Sequence, residues 1–152
     1  MLRIVKHIII IMISFQVCLL AQDKISDNLK FKNGVHFIKL GRIEKAKEVF
    51  LEYLELFPQG IHRHEAYEQL AEIYFKKFDL QKAIKMYKYL YEEFNNSEDG
   101  VRAYFKIGLC YKKMGYNKKA IEIFKTIISE HSQSAYSHQA KMQIDLIDIL
   151  QE

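Results

Sequence analysis

His62 and His64 stand two residues apart, and Glu65, Glu68 and Glu72 follow at spacings of three and four. Imidazoles and carboxylates build zinc sites and general acid–base pairs, so this stretch is the first place to look for chemistry. On a helix, residues two apart point to different sides, and no cysteine adjoins them to complete a ligand set. The three glutamates share one face without a paired base, which is the pattern of a charged surface. His36, His131 and His138 are isolated. Cys110, between Leu109 and Tyr111, has no His or acid within helical reach to activate it and reads as a small buried apolar residue. "KMYKYLYEEF" at 85–94 interleaves Lys with Tyr, as single-strand nucleic acid binders do. Leu90 and Phe94 extend the helix face of Tyr87, however, so core packing accounts for the tract. No Gly-rich phosphate loop and no nucleophile elbow occurs. The expectation is a protein with no catalytic residues, metal, cofactor, small-molecule substrate or nucleic acid partner.

The elements that carry these residues follow from a repeat. Gly34, Ala71 and Gly108 are each 37 apart, as are Phe37, Tyr74 and Tyr111, then Ala46, Ala83 and Ala120, then Phe50, Tyr87 and Phe124. Each copy has a first half in which the small residue and the aromatic three later share a helix face, and a second half in which the Ala and the aromatic four later do the same. The unit is a helical hairpin, with the small residue letting two backbones approach. Gly41 and Gly115 fall between the halves, where a helix end favours a left-handed residue, and Phe78 holds the same place in the second copy. Asp79 and Asn117 are expected to cap the helices that follow. "PQG" at 58–60 and "NNSEDG" at 95–100 break the chain between copies. The spacing predicts helices at about 27–40, 43–57, 63–77, 80–94, 100–114, 117–130 and 135–150.

Residues 1–21 are a different material. Arg3 and Lys6 precede the apolar run "IIIIMISFQVCLL", and Ala21 offers a small residue for cleavage. This pattern predicts a secretory signal peptide and export, to the periplasm or another part of the cell envelope, with 22–26 as a short spacer. The apolar run is short of the ~20 residues of a membrane-spanning helix. Cys18 raises lipid anchoring, but Val17 and Phe15 fit a lipoprotein cleavage box poorly. Cleavage after Ala21 leaves 21 basic against 19 acidic side chains, and Cys110 as the one cysteine, so no internal disulfide. That near-neutral balance does not call for a nucleic acid.

The repeat resembles the tetratricopeptide repeat (TPR), whose unit of roughly 34 residues carries an aromatic, Leu-Gly, Tyr, then Ala, Phe and Pro. The signature appears as Tyr67, Leu70, Ala71, Tyr74, Ala83 and Tyr87, and as Tyr104, Ile107, Gly108, Tyr111, Ala120 and Phe124. The first copy matches through Gly34, Phe37, Gly41, Ala46, Phe50 and Pro58, with Lys30 and Asn33 in place of the early aromatic and Leu. The resemblance implies an all-α, right-handed superhelical solenoid of three hairpins (about 27–60, 64–97 and 101–134) and a C-terminal capping helix at 135–152. The three extra residues per period are similar to periplasmic members, namely the Tol-Pal-associated division coordinator and the outer-membrane assembly lipoproteins. It further implies an interaction module that binds a protein or peptide partner, or else a structural subunit of a membrane-associated complex.

In this family the first helix of each hairpin lines the binding groove. The resemblance places that groove on Phe31, Val35, Ile38 and Lys39, then Glu65, Glu68, Glu72, Phe75 and Lys76, then Arg102, Phe105, Leu109, Lys112 and Lys113. Members that clamp a C-terminal carboxylate carry Asn where Val35, Glu72 and Leu109 stand, so that clamp is absent. The expected ligand is an extended segment with hydrophobic anchors on Phe31 and Phe105 and basic residues opposite the glutamates. Met142, Leu146, Ile149 and Leu150 carry the apolar arc of the last helix beyond a single stripe, which predicts a contact with a partner or a second copy.

Overall fold

The computed structural model describes residues 24–95 and 97–150, with Met12 besides. The expected cleavage site, Cys18 and most of the expected signal peptide lie outside the described residues. Among those described there are seven helices and no strand: α1 (helical over 24–39), α2 (Ile43–Leu56), α3 (Arg63–Lys76), α4 (Leu80–Phe94), α5 (Glu98–Lys113), α6 (Asn117–Glu130) and α7 (Ala135–Ile149). No described helix is long and apolar enough to cross a membrane. The helices pack as two compact units that divide between Ala66 and Tyr67, inside α3.

The second helix of each hairpin buries a narrow stripe at spacings of three and four. In α2 it is Ala46, Val49, Phe50 and Tyr53, in α4 Leu80, Ala83, Tyr87 and Leu90, and in α6 Ala120, Ile123, Phe124 and Ile127. α5 differs because α4, α6 and α7 all pack on it, so Val101, Ala103, Phe105, Ile107, Gly108 and Cys110 are buried around most of its girth. The small residue works as its spacing suggested. A Cβ on Gly34 would stand 2.5 Å from Cε1 of Phe50, and one on Gly108 2.5 Å from Cε1 of Phe124.

The turns within hairpins are copies of one another. Gly41, Phe78 and Gly115 have φ of 71, 62 and 78°, and each is bracketed by the same bonds. Arg42, Asp79 and Tyr116 donate their N–H to the carbonyls five residues back, Phe37, Tyr74 and Tyr111, at 2.9, 3.0 and 2.9 Å. This is the Schellman closure of a helix, and the second copy completes it with a phenylalanine in a left-handed conformation.

Capping departs from expectation. Asp79 occupies the N-cap of α4 but caps no backbone N–H with its side chain; its carboxylate meets Lys82 Nζ at 2.8 Å. Asn117 is the first residue of α6, and Tyr116 is its N-cap. A left-handed residue precedes both N-caps, Asp79 with ψ of 64° and Tyr116 with ψ of 59°, in place of the extended entry of Ser97 and Ser134, with ψ of 158 and 145°. The working caps are Ser97, accepting from Gly100 N, and Ser134, accepting from Tyr136 N, again 37 apart. The joints are also tied by carboxylates from the preceding first helix. Glu98 Oε1 accepts from Ser134 Oγ at 3.0 Å and Ala135 N at 3.1 Å. Buried Asp27 accepts from Tyr53 Oη at 2.6 Å and Ile61 N at 2.8 Å. Burial and that bond to Asp27 push the Tyr53 phenol above its ordinary range.

Candidate partner-binding face

The expected groove positions fall into two sets, one in each unit. In the first unit Phe31 is half-buried and stacks on the His62 ring with centroids 4.4 Å apart, and it also leans on Phe50 and Tyr53 at 5.6 and 5.9 Å. His62 further approaches Asn28 Oδ1 at 3.2 Å and Glu65 Oε1 at 3.6 Å. The ring of His62 therefore serves packing on Phe31. Val35 and Ile38 are partly covered and Lys39 is exposed.

In the second unit the first helices are cross-linked through the expected positions. Arg102 on α5 meets Glu68 on α3 at 2.8 Å, and also its helical neighbour Asp99 at 3.1 Å. One oxygen of Glu72 accepts from Lys106 Nζ at 2.8 Å and from the Tyr87 hydroxyl at 2.7 Å. Burial works to raise the Glu72 pKa, but those two bonds and the charges of Lys106 and Lys76 more than offset it, so the carboxyl sits below its ordinary value. The same burial, with Glu72 alongside, drives the Tyr87 phenol upward. Phe75 is flanked by two ammonium groups, Lys106 at 5.3 Å and Lys113 at 5.4 Å from its centroid, and Lys113 also lies 5.0 Å from that of Phe78. Lys112 Nζ donates to Gln143 Oε1 at 2.8 Å and so ties α5 to α7.

Phe105 requires a correction. Its ring is 5% exposed, packed against Phe124 and Tyr136 at centroid distances of 5.4 Å each, and it belongs to the core rather than to an open anchor site. α7 brings Tyr136 over it, a contact between separate helices that spacing along α5 alone does not reveal. The glutamates also differ from expectation, since Glu68 and Glu72 already have cations of this chain against them. Lys106, Tyr87 and Gln143 were not among the expected face residues, yet they hold it together. The available signal was register: Lys106 lies one turn before Leu109, the counterpart of Glu72 one repeat later.

Cys110 is fully buried and its thiol is pushed up to about 12, chiefly by burial, so it is protonated at neutral pH and unsuited to nucleophilic work. Among the described residues no group of three His, Cys, Asp or Glu side chains is arranged to hold a metal.

Comparison with known proteins agrees with this geometry. A tetratricopeptide repeat family profile matches residues 35–59, 64–93 and 101–130. No curated protein matches the sequence. Among solved structures, the chain is similar to the C-terminal TPR-containing domain of a Plasmodium falciparum FK506-binding protein, with a TM-score of 0.61 and 21% identity over 84% of this chain and 90% of that one. It is similar also to the TPR domain of Arabidopsis OM64, with a TM-score of 0.57 and 16% identity over 78% of this chain and 93% of that one. At these identities the likeness speaks for the fold. Three matched segments covering more than half of the chain, each with its hairpin and its left-handed turn, place this protein in the tetratricopeptide repeat family.

Proposed function

We propose that the chain is an exported adaptor of the cell envelope that captures a segment of a partner protein on the first-helix face of its second unit. Tetratricopeptide repeat domains are in general non-catalytic modules of protein–protein interaction. The observation that carries the reading is the cross-linked face of the second unit. Bonds from Glu68 to Arg102, Glu72 to Lys106 and Lys112 to Gln143 fix α3, α5 and α7 against one another. Partly buried Phe75 and Leu109 and exposed Lys76 and Lys113 are thereby held in place before any ligand arrives. Such preorganisation reduces the ordering cost of binding. Export rests on residues 1–21, whose charged start, apolar run and Ala21 have the order of a signal peptide.

Two measurements test the reading. Intact mass of the protein recovered from its own cells is expected to correspond to a chain starting at Gln22. A chain retaining Met1 contradicts export by cleavage, and an acylated chain starting at Cys18 replaces the soluble adaptor with a lipoprotein. Affinity purification from the same cells is expected to yield a partner that Phe75→Ala loses while its helicity and Tm stay at wild-type values. Retention of the partner by that variant places the site elsewhere.

A further inference from the structure

α7, expected as a cap that offers part of its apolar arc to a partner or a second copy, is built as a fourth first helix. Its N-cap Ser134 repeats Ser97 at a distance of 37, and so do its buried positions: Ala140 follows Ala66 and Ala103, and Ile147 follows Ile73 and Cys110. The same register carries the binding face onto it. Leu109 is followed by Leu146, Lys112 by Ile149 and Lys113 by Leu150. Leu146 and Ile149 of α7 are 45 and 67% exposed, and Leu150, its C-cap, is 78% exposed. On the side where Gly34 and Gly108 admit a phenylalanine ring, α7 carries exposed Asp145, and Asp148 stands where Tyr111 does. A carboxylate there resists burial beneath a second helix. The apolar surface of α7 thus lies on the face shared with α5, to which Lys112 and Gln143 join it.

Charge says what kind of segment fits. The two glutamates of the face in the second unit are met by Arg102 and Lys106, and Asp99 shares Arg102. Lys112 has an uncharged partner in Gln143, and Lys113 lies over the rings of Phe75 and Phe78. Neither Lys112 nor Lys113 is in an ion pair with a carboxylate among the described residues, and Lys76 acts on Glu72 only through its charge. The charge left for a ligand is positive, the reverse of the basic ligand that the glutamates alone suggest.

We infer that the ligand is a protein segment that combines large apolar side chains, seated on Leu109, Leu146 and Ile149, with carboxylates that meet Lys112 and Lys113. This inference rests on the adaptor reading and specifies its partner. The lysines select the acidic segment, and the uncovered stripe of α7 supplies the apolar contact area.

The test is selection of displayed random peptides on the full chain, followed by titration of the recovered peptides as synthetic compounds. The expected sequences join Asp or Glu to Leu, Ile or Phe, and their binding weakens as salt rises. Leu146→Gln with Ile149→Gln is expected to lower affinity by about tenfold or more. Lys112→Glu with Lys113→Glu is expected to turn selection toward basic peptides. Circular dichroism and Tm of both variants verify folding, and a failed double variant is replaced by its single components. Peptides that lack acidic character, or that ignore both variants while Phe75→Ala abolishes their binding, overturn the inference and leave the adaptor reading standing. Recovery of no peptide at all overturns both. A concentration-dependent dimer that dissociates on Leu146→Gln assigns the stripe to a second copy and also overturns the inference.

Discussion

α3 and α7 present the same register of a first helix with opposite chemistry. On α3, Glu68 and Glu72 are each bonded to a cation of α5, and Glu72 takes a phenol from α4 as well. On α7 the counterparts of those positions, Met142 and Leu146, are 49 and 45% exposed. The difference separates two uses of one backbone position. Where a side chain bonds the next hairpin it contributes to stability, and where it meets nothing it is available for binding. Removing the first kind is therefore expected to unfold the array before it disturbs recognition, and removing the second to do the reverse.

The largest effect is expected from the residue on which both faces depend. α5 supplies Arg102 and Lys106 to α3 and Lys112 to α7, and Gly108 sets its distance from α6. Gly108→Val places a branched side chain against the ring of Phe124, which is fully buried and has no space to retreat. A loss of about 3 kcal/mol is expected in urea unfolding, through overpacking and displacement of α5. Wild-type stability in this variant would show that the hairpin does not need the close approach.

Glu72→Ala comes next. It leaves Lys106 without its carboxylate and the buried Tyr87 hydroxyl without its acceptor, at an expected cost of ~1–2 kcal/mol after allowance for partial exposure of the pair. The pH dependence has a definite sign. The folded carboxyl lies below the ordinary value of 4.5, so its contribution is complete above that pH and is lost as pH falls through the lowered folded value. Melting temperatures measured between neutral and acidic pH are expected to fall more steeply for wild type than for Glu72→Gln. Parallel curves would assign the acid sensitivity to other carboxylates.

Much of this architecture is legible in the sequence. The small, aromatic, alanine and aromatic positions recur at 37 and mark two helices apiece, and the expected boundaries agree with the observed ones to within two or three residues. The turn at 78 was legible by register alone, since Phe78 stands between Gly41 and Gly115. The caps were not. Asp79 and Asn117 have capping side chains, but the Schellman turn fixes the backbone ahead of them, whereas Ser97 and Ser134 follow an extended entry and do cap. The face was legible as positions and illegible as chemistry. Burial of Phe105 depends on Tyr136, and neutralisation of Glu72 depends on Lys106, 34 residues away. Such pairs emerge only once hairpins are stacked.

Phe78 ends α3 in a conformation that costs a residue with a side chain about 1–2 kcal/mol, and its ring is 66% exposed. Phe78→Gly is expected to stabilise the protein by roughly 0.5–1 kcal/mol, a rise in Tm of a few degrees, after the larger entropy of an unfolded glycine is subtracted. A fall in Tm would mean that the contact with Lys113, 5.0 Å from the ring, outweighs the strain and that Phe78 belongs to the structural face of α3.

The smallest effect on stability is expected where the effect on binding is greatest. Leu146 is 45% exposed and stands apart from the buried Ala140 and Ile147 that dock α7. Gln keeps the helical preference of Leu and loses little burial at an open position, so Leu146→Gln is expected to change unfolding free energy by no more than about 0.5 kcal/mol. Paired with Glu72→Ala, it makes the comparison of the two helices quantitative: one substitution lowers stability, and the other leaves it while weakening capture of the ligand. A loss of more than ~2 kcal/mol in Leu146→Gln would place this leucine in the core of the unit and remove α7 from the binding face, because an exposed surface substitution does not cost that much.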